Sequence, residues 1–176
     1  YLSNNWETSR FSLTLNPFNP VPEKVFENSG ILSTRLFSKN SFSAFKTLNA
    51  LPYIELSREA NQKKWETGIA LNEFDEAVDA CWHSFGIFQE NEIILPEYSR
   101  GGIWSCGAMA LEEYLSQINT SFQRKCIKAL ELETCQEIFF INALDGIVPL
   151  RIWNNSKKSI ELSKKLAQGF NTFYYF

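Results

Sequence analysis

Few side chains in this 176-residue sequence are placed to make or break bonds, and Lys46 stands out among them. It lies in Ser-Ala-Phe-Lys-Thr-Leu-Asn-Ala-Leu (residues 43–51), behind Phe45 and ahead of Leu48. An amine desolvated at such a place is neutral part of the time and can act as a nucleophile. His83 is the only histidine, so a Ser-His-Asp triad could be built on no other residue. Cys81, Cys106, Cys126 and Cys135 form no Cys-x-x-Cys pair, which argues against a structural zinc site and for reduced thiols in a cytoplasmic protein.

The elements around these residues follow from periodicity. Arg10–Asn16 alternates apolar and polar residues as a half-buried strand does, and the proline-rich stretch 16–22 breaks it. A second strand is predicted over Ile31–Phe37, then a helix from Pro52 to Trp65 with Tyr53, Leu56 and Ala60 on one face. Lys46 therefore sits between an extended phase and a helical one. Gly68–Asn72 reads as a strand and 73–76 as an acidic loop leading into Ala77–Cys81. Ser84–Gln89 and Glu92–Leu95 read as a hairpin. Arg100-Gly101-Gly102 precedes an amphipathic helix with Ala108, Leu111, Leu115 and Ile118 on its apolar face. Beyond it come a strand over Phe122–Ile127, a short helix over Ala129–Thr134 and a buried strand over Glu137–Ile141. A turn at 142–146 leads to a return strand over Ile147–Trp153, and a terminal helix carries Leu162, Leu166, Phe170 and Phe173. Strands and helices mingle without strict βαβ alternation, which predicts a mixed α+β or barrel-like domain.

Composition narrows the function classes. With 44% apolar and 15% aromatic residues, the chain can bury one substantial core. Seventeen basic against twenty acidic side chains, without long like-charged blocks, give no electrostatic footprint for nucleic acid or an anionic membrane. No apolar run approaches the roughly 20 residues that span a bilayer. The sequence begins Tyr1-Leu2-Ser3, without an initiator methionine, as a fragment would.

The order of these pieces carries a resemblance. Phe-Lys-Thr-Leu-Asn, a helix, Gly-Ile-Ala-Leu-Asn at 68–72, an acidic segment and a hairpin ending in Leu95-Pro96 follow one another. A glycine-rich helix entry and Glu-Ile-Phe-Phe-Ile-Asn-Ala-Leu-Asp-Gly-Ile at 137–147 complete the series. Together they resemble the class IV aminotransferases, pyridoxal-phosphate enzymes that include branched-chain and D-amino-acid aminotransferases and 4-amino-4-deoxychorismate lyases. The resemblance covers only that family's C-terminal domain. It implies a fold-type IV α+β domain over residues 23–176, with a mixed-sheet or barrel-like core flanked by helices. Residues 1–22 would end an N-terminal small domain and linker, with the rest of that domain upstream. It also implies a homodimer acting on a small amino substrate.

Residue by residue, the resemblance makes Lys46 the lysine that carries pyridoxal 5'-phosphate and then shuttles a proton at the substrate carbon. A carboxylate should hold the pyridine nitrogen protonated so that the ring drains electrons; Asp79 is the candidate and Glu76 the alternative. His83 and Ser84 occupy the family's Ser-Asn contact to the cofactor, where His83 could meet the phenolate oxygen or a substrate carboxylate. The phosphate would rest on backbone donors at the helix entry, Gly107, Ala108 and Met109 after Cys106, and at the turn Asn142, Ala143 and Leu144. Ala110 and Ala143 depart from the family pattern, which has an arginine and a hydroxyl residue there. The approach to Lys46 and the 142–147 turn look most like the lyase, which makes 4-aminobenzoate and pyruvate for folate synthesis. A branched-chain or D-amino-acid aminotransferase and a non-catalytic relative are the other readings.

Overall fold

The computed structural model describes residues 12–17, 23–38 and 42–175. Its elements begin with β1 (Ile31–Arg35), α1 (Leu51–Gln62), β2 (Ile69–Leu71), β3 (Glu76–Ala80), β4 (Ser84–Gln89) and β5 (Glu92–Pro96). A 3₁₀ turn at Tyr98–Arg100 leads to α2 (Cys106–Gln117), β6 (Phe122–Lys125), β7 (Ile127–Lys128) and α3 (Ala129–Thr134). The chain ends through β8 (Glu137–Asn142), β9 (Gly146–Pro149), β10 (Ile152–Trp153), β11 (Ser156–Lys157) and α4 (Glu161–Tyr175).

Two sheets form the centre. One has the order β1-β2-β3-β7 and the other β6-β5-β4-β8-β9. Both remain open, with β1 and β7 or β6 and β9 at their edges, so the α+β expectation holds without a closed barrel. Side-chain alternation assigns the layers. Ile138 and Phe140 of β8 join Ile87, Ile69 and Leu71 in the core between the sheets, whereas Phe139 and Ile141 face the other way, onto Leu111, Leu115, Leu166 and Phe170 of α2 and α4. On the outer face of the four-stranded sheet, Ala70 and Val78 pack against Leu56 and Ala60 of α1. The stack is helix, sheet, sheet, helices.

Several expected boundaries move for identifiable reasons. Residues 12–17 are exposed and form no strand, and Arg10 and Phe11 lie outside the described residues; alternation alone makes no strand without a sheet edge to pair with. The run Phe122–Ile127 divides, with β6 pairing β5 in one sheet and β7 pairing β3 in the other. The return strand from Ile147 stops at Pro149, which cannot donate to a ladder. Trp153 instead enters the β10–β11 hairpin, closed by Asn154 and Asn155 at φ 44° and 65°. Ile118 caps α2 and is exposed rather than part of its apolar face.

Glu137, only 1% exposed, anchors α4. Its carboxylate accepts from Leu162 N (3.0 Å), Ser163 N (2.8 Å), Ser163 Oγ (2.6 Å) and Ser159 Oγ (2.7 Å). Burial alone would raise its pKa, but these donors overcome that and hold it below the ordinary value. Glu137→Ala leaves buried helix-start amides unpaired and is expected to lower unfolding free energy by about 3 kcal/mol. Urea denaturation checks this, and a loss well under 1 kcal/mol would contradict the anchoring role.

Candidate active site

A buried carboxylate in the wall of a cavity is the starting point of the site. β3 pairs Ala70 with Asp79 but Leu71 with Ala77, so β3 carries one extra residue there, a bulge. In regular alternation Asp79 would share the side of Ala77 and point between the sheets. The bulge turns it to the face of Val78 and Cys81, under α1. There it is 3% exposed and accepts from Tyr53 Oη (2.8 Å), Ile103 N (3.1 Å) and Ala80 N (3.0 Å). Tyr53 comes from the first turns of α1, and its own pKa is driven far up by burial and by Asp79. Ile103 arrives because Gly102 can lie against the Val78 carbonyl, where an added Cβ would sit 2.5 Å from the oxygen. Gly101 makes the approach at φ 116°, which few other residues adopt. Burial dominates the Asp79 titration and raises its pKa to about 6, the three donors and the nearby Lys46 offsetting part of that cost.

The cavity beside Asp79 measures about 440 Å³, a volume suited to a small-molecule ligand. Lys46, Tyr53, Asp79, His83, Ser84 and Gly107 are among its walls, together with Trp82, Trp104, Cys106 and the turn at 142–144. Lys46 lies on the loop before α1 and is exposed, with Nζ 5.6 Å from the centre of the Trp82 ring. The expected apolar shield does not form: Phe45 and Leu48 are themselves exposed. Trp104 ties this loop to the entry of α2, donating its backbone N–H to the Ala44 carbonyl (2.9 Å) and packing on Phe45.

Pairing of β4 with β8 places Ser84 opposite Ile141, so the connections at 82–83 and 142–145 emerge side by side. His83 Nε2 lies 3.0 Å from Asp145 Oδ2. At the same end, α2 begins at Cys106 with Ser105 as N-cap, its Oγ accepting from Ala108 N. The first intrahelical bond is Met109 N to the Ser105 carbonyl, so the amides of Cys106 and Gly107 precede it, at the positive end of the helix dipole. Gly107 presses on the turn, since a Cβ there would meet the Asn142 carbonyl carbon at 2.9 Å. Within the turn, Asn142 Oδ1 accepts from Leu144 N (2.9 Å) and Asp145 N (2.6 Å), and Ala143 carries the amide that Asn142 does not engage.

The structure thus gathers Lys46, Asp79, His83, Ser84, Gly107, Asn142, Ala143 and Leu144 around one cavity. It places Glu76, Ala108 and Met109 elsewhere. Glu76 bonds Asn72 Nδ2 (2.9 Å) and Lys128 Nζ (3.0 Å) at the β7 side of its sheet, and these partners lower its pKa. Ala108 packs in the helix-side core, and Met109 is exposed. Sequence reasoning missed Tyr53, Trp82, Trp104 and the Ile103 amide as cavity elements. A tyrosine one turn into a helix that follows a candidate lysine was a usable signal; the others depend on the bulge and the glycine loop.

The sequence model described as Amino-transferase class IV matches residues 4–153. The chain belongs to the class IV aminotransferase family. This family depends on pyridoxal phosphate. No curated protein matches the sequence. Among solved structures, the fold is shared with the branched-chain aminotransferase of Thermoproteus uzoniensis (TM-score 0.83, 16% identity, 90% of this chain and 55% of that one). It is also shared with the 4-amino-4-deoxychorismate lyase of Pseudomonas aeruginosa (0.78, 21%, 86% and 56%). A third is an aminotransferase from Brucella abortus solved with bound pyridoxal phosphate (0.78, 12%, 92% and 58%). This class IV chain therefore spans little more than half the length of these proteins.

The Asp79 titration gives a stability signature. Its folded-state pKa, about 6, lies above its ordinary 3.8. Its contribution is therefore complete below pH 3.8 and is lost as pH rises through 6. Relative to Asp79→Asn, which does not titrate, the wild type is expected to lose about 2 kcal/mol between pH 4 and pH 7. Urea unfolding at the two pH values measures the difference, and an unchanged gap would contradict the assignment.

Proposed function

We propose that the cavity binds pyridoxal 5'-phosphate and that the chain is the C-terminal, cofactor-binding part of an aminodeoxychorismate lyase. One observation carries the cofactor reading: a buried carboxylate, Asp79, shares a cavity with an accessible lysine. The donor set fits the group. Asp79, ionised above about pH 6, presents an anion to a protonated ring nitrogen. Cys106, Gly107 and Ala143 line the cavity where α2 begins against the 142–145 turn, Gly107 packing so close to Asn142 that a Cβ would not fit, and backbone amides at a helix start suit a phosphate. Lys46 supplies the primary amine for covalent attachment. When bound, pyridoxal phosphate supplies an electron sink for the bonds at the amino-bearing carbon.

In the lyase reading, the Lys46 amine removes the proton from the ring carbon bearing the substrate nitrogen. The bond from the ring to the enolpyruvyl oxygen breaks, the proton is returned to the leaving enol, and pyruvate departs from aromatic 4-aminobenzoate. Asp79 remains ionised throughout, fixed by Tyr53 and Ile103. His83 and Ser84 line the wall beside it. Trp82 and Trp104, 47% and 53% exposed, offer flat apolar surfaces to an unsaturated ring. The 21% identity to the Pseudomonas lyase supports this reading. The 0.83 TM-score to the Thermoproteus enzyme favours the second, an aminotransferase for branched-chain or D-amino acids using the same Lys46.

Residues 23–176 form the cofactor domain in this reading, with a small domain contributed by the remainder of the relatives' length. The exposed rim of Phe45, Leu48, Trp82, Trp104 and Leu144 supports cover from that domain and from a second subunit of a homodimer. Four free thiols support a reducing, cytoplasmic setting. No described helix is long and apolar enough to cross a membrane.

Mixed with pyridoxal phosphate, the protein is expected to develop visible absorption that borohydride fixes to Lys46 and that Lys46→Ala lacks; a protein that stays colourless contradicts the cofactor reading. Asp79→Ala should weaken cofactor binding at least about tenfold, near 1.4 kcal/mol, while Glu76→Ala leaves it close to wild type. Equilibrium titration separates the two, and the reverse order would transfer the role to Glu76. Pyruvate released from aminodeoxychorismate without a keto-acid acceptor marks the lyase, and dependence on an acceptor marks the aminotransferase.

A further inference from the structure

His83 has a polar relationship that neither packing nor cofactor attachment explains. Its side chain is 8% exposed and its ring sits in an aromatic slot, edge-on to Phe26 at 5.2 Å and to Phe140 at 6.2 Å. Packing alone does not call for a histidine in that slot, which aromatic rings line. The histidine leaves Nδ1 buried and without a partner among the described residues, while Nε2 meets Asp145 at 3.0 Å. Burial lowers the His83 pKa against the pull of Asp145, so at neutral pH the ring is neutral. Its one N–H then donates from Nε2 to the carboxylate.

Asp145 collects partners from separate parts of the chain. Oδ1 pairs with Lys24 Nζ at 2.9 Å, and Oδ2 takes His83 together with Asn142 Nδ2 at 3.3 Å. Asn142 Nδ2 also reaches the Trp82 carbonyl at 3.3 Å. The turn after β8 is therefore fastened twice to residues 82–83 and once to the segment that enters the fold ahead of β1. Those turn residues border the end of the cavity where Gly107 abuts Asn142.

We propose that Lys24, Asp145 and His83 form a clasp that fixes the 142–145 turn against the start of α2, making His83 a positioning residue for the phosphate of the bound cofactor. The clasp rests on the pyridoxal-phosphate reading above for its ligand, but its mechanical claim concerns the protein alone. A loosened turn shifts the Ala143 amide from the phosphate while leaving Lys46 and Asp79, at the ring side, in place.

Two measurements test it. Dissociation constants are compared for pyridoxal phosphate and for pyridoxal, which lacks the phosphate. His83→Phe is expected to weaken pyridoxal phosphate about tenfold, the worth of one hydrogen bond to a charged group, with pyridoxal nearly unchanged. His83→Gln, whose side-chain amide can replace the Nε2–H donor, should recover most of the loss, and Lys24→Gln should show the same selectivity to a smaller degree. Equal weakening of both ligands, or none, overturns the clasp. Amide hydrogen exchange in the ligand-free protein is the second measurement. His83→Phe should speed exchange at Leu144 and Asp145 but not in the β10–β11 hairpin, and unchanged exchange at the turn overturns the proposal even if the wild type binds neither ligand.

Discussion

The fold holds a carboxylate, Asp79, where water cannot fully solvate it, and much of the local architecture exists to make that tolerable. A buried ion without partners costs several kcal/mol, so it persists only with donors in place. Tyr53 supplies a hydroxyl from α1, and the loop before α2 supplies the Ile103 amide. Each requires its own device: a helix packed across the outer face of the sheet, and two glycines that let backbone lie against backbone. The three donors satisfy the carboxylate incompletely, as its raised pKa records. What remains is an anion disposed toward a cation in the adjoining cavity.

The layered stack explains why the other groups converge on the same place. Helices cover both outer faces, so most strand residues are consumed in packing, and the cavity is lined by strand ends, Asp79 and Ala80 of β3, Ser84 of β4 and Asn142 of β8, together with the connections beside them. The β4–β8 register puts the connections at 82–83 and 142–145 side by side, and α2 begins against the second of them. The Lys46 loop joins through Trp104. The Asp79 carboxylate thus stands on a rigid strand, and the Lys46 amine on a loop held by its neighbours.

Much of this was legible in the sequence, and the failures have a common cause. Periodicity located α2 and α4 because each buries one consistent face, an unbroken apolar run located β8 because both of its faces are buried, and the ordered motifs pointed to the class IV family. Alternation misled where pairing decides: residues 12–17 have the pattern without the partner, and Phe122–Ile127 serves two sheets with one run. Glu137 reads as an odd acid in an apolar strand until α4 is seen to start on it. The sequence makes Asp79 the candidate and Glu76 the alternative without showing where either side chain points. The bulge between Ala77 and Asp79 distinguishes their surroundings, because it sends Asp79 toward α1 and the cavity while Glu76 meets Lys128 and Asn72. Lys46 was legible as a junction residue, but the shielding expected from Phe45 and Leu48 does not form, since both are exposed.

The central claim is that Asp79 awaits a cation delivered by the cofactor ring. Carbon NMR titration of the Asp79 carboxyl, with and without pyridoxal phosphate, addresses it directly. The account predicts a midpoint near pH 6 in the free protein and a displacement well below that once the cofactor is bound, because a neighbouring cation favours the ionised form. A midpoint that stays in place or rises on binding would contradict it.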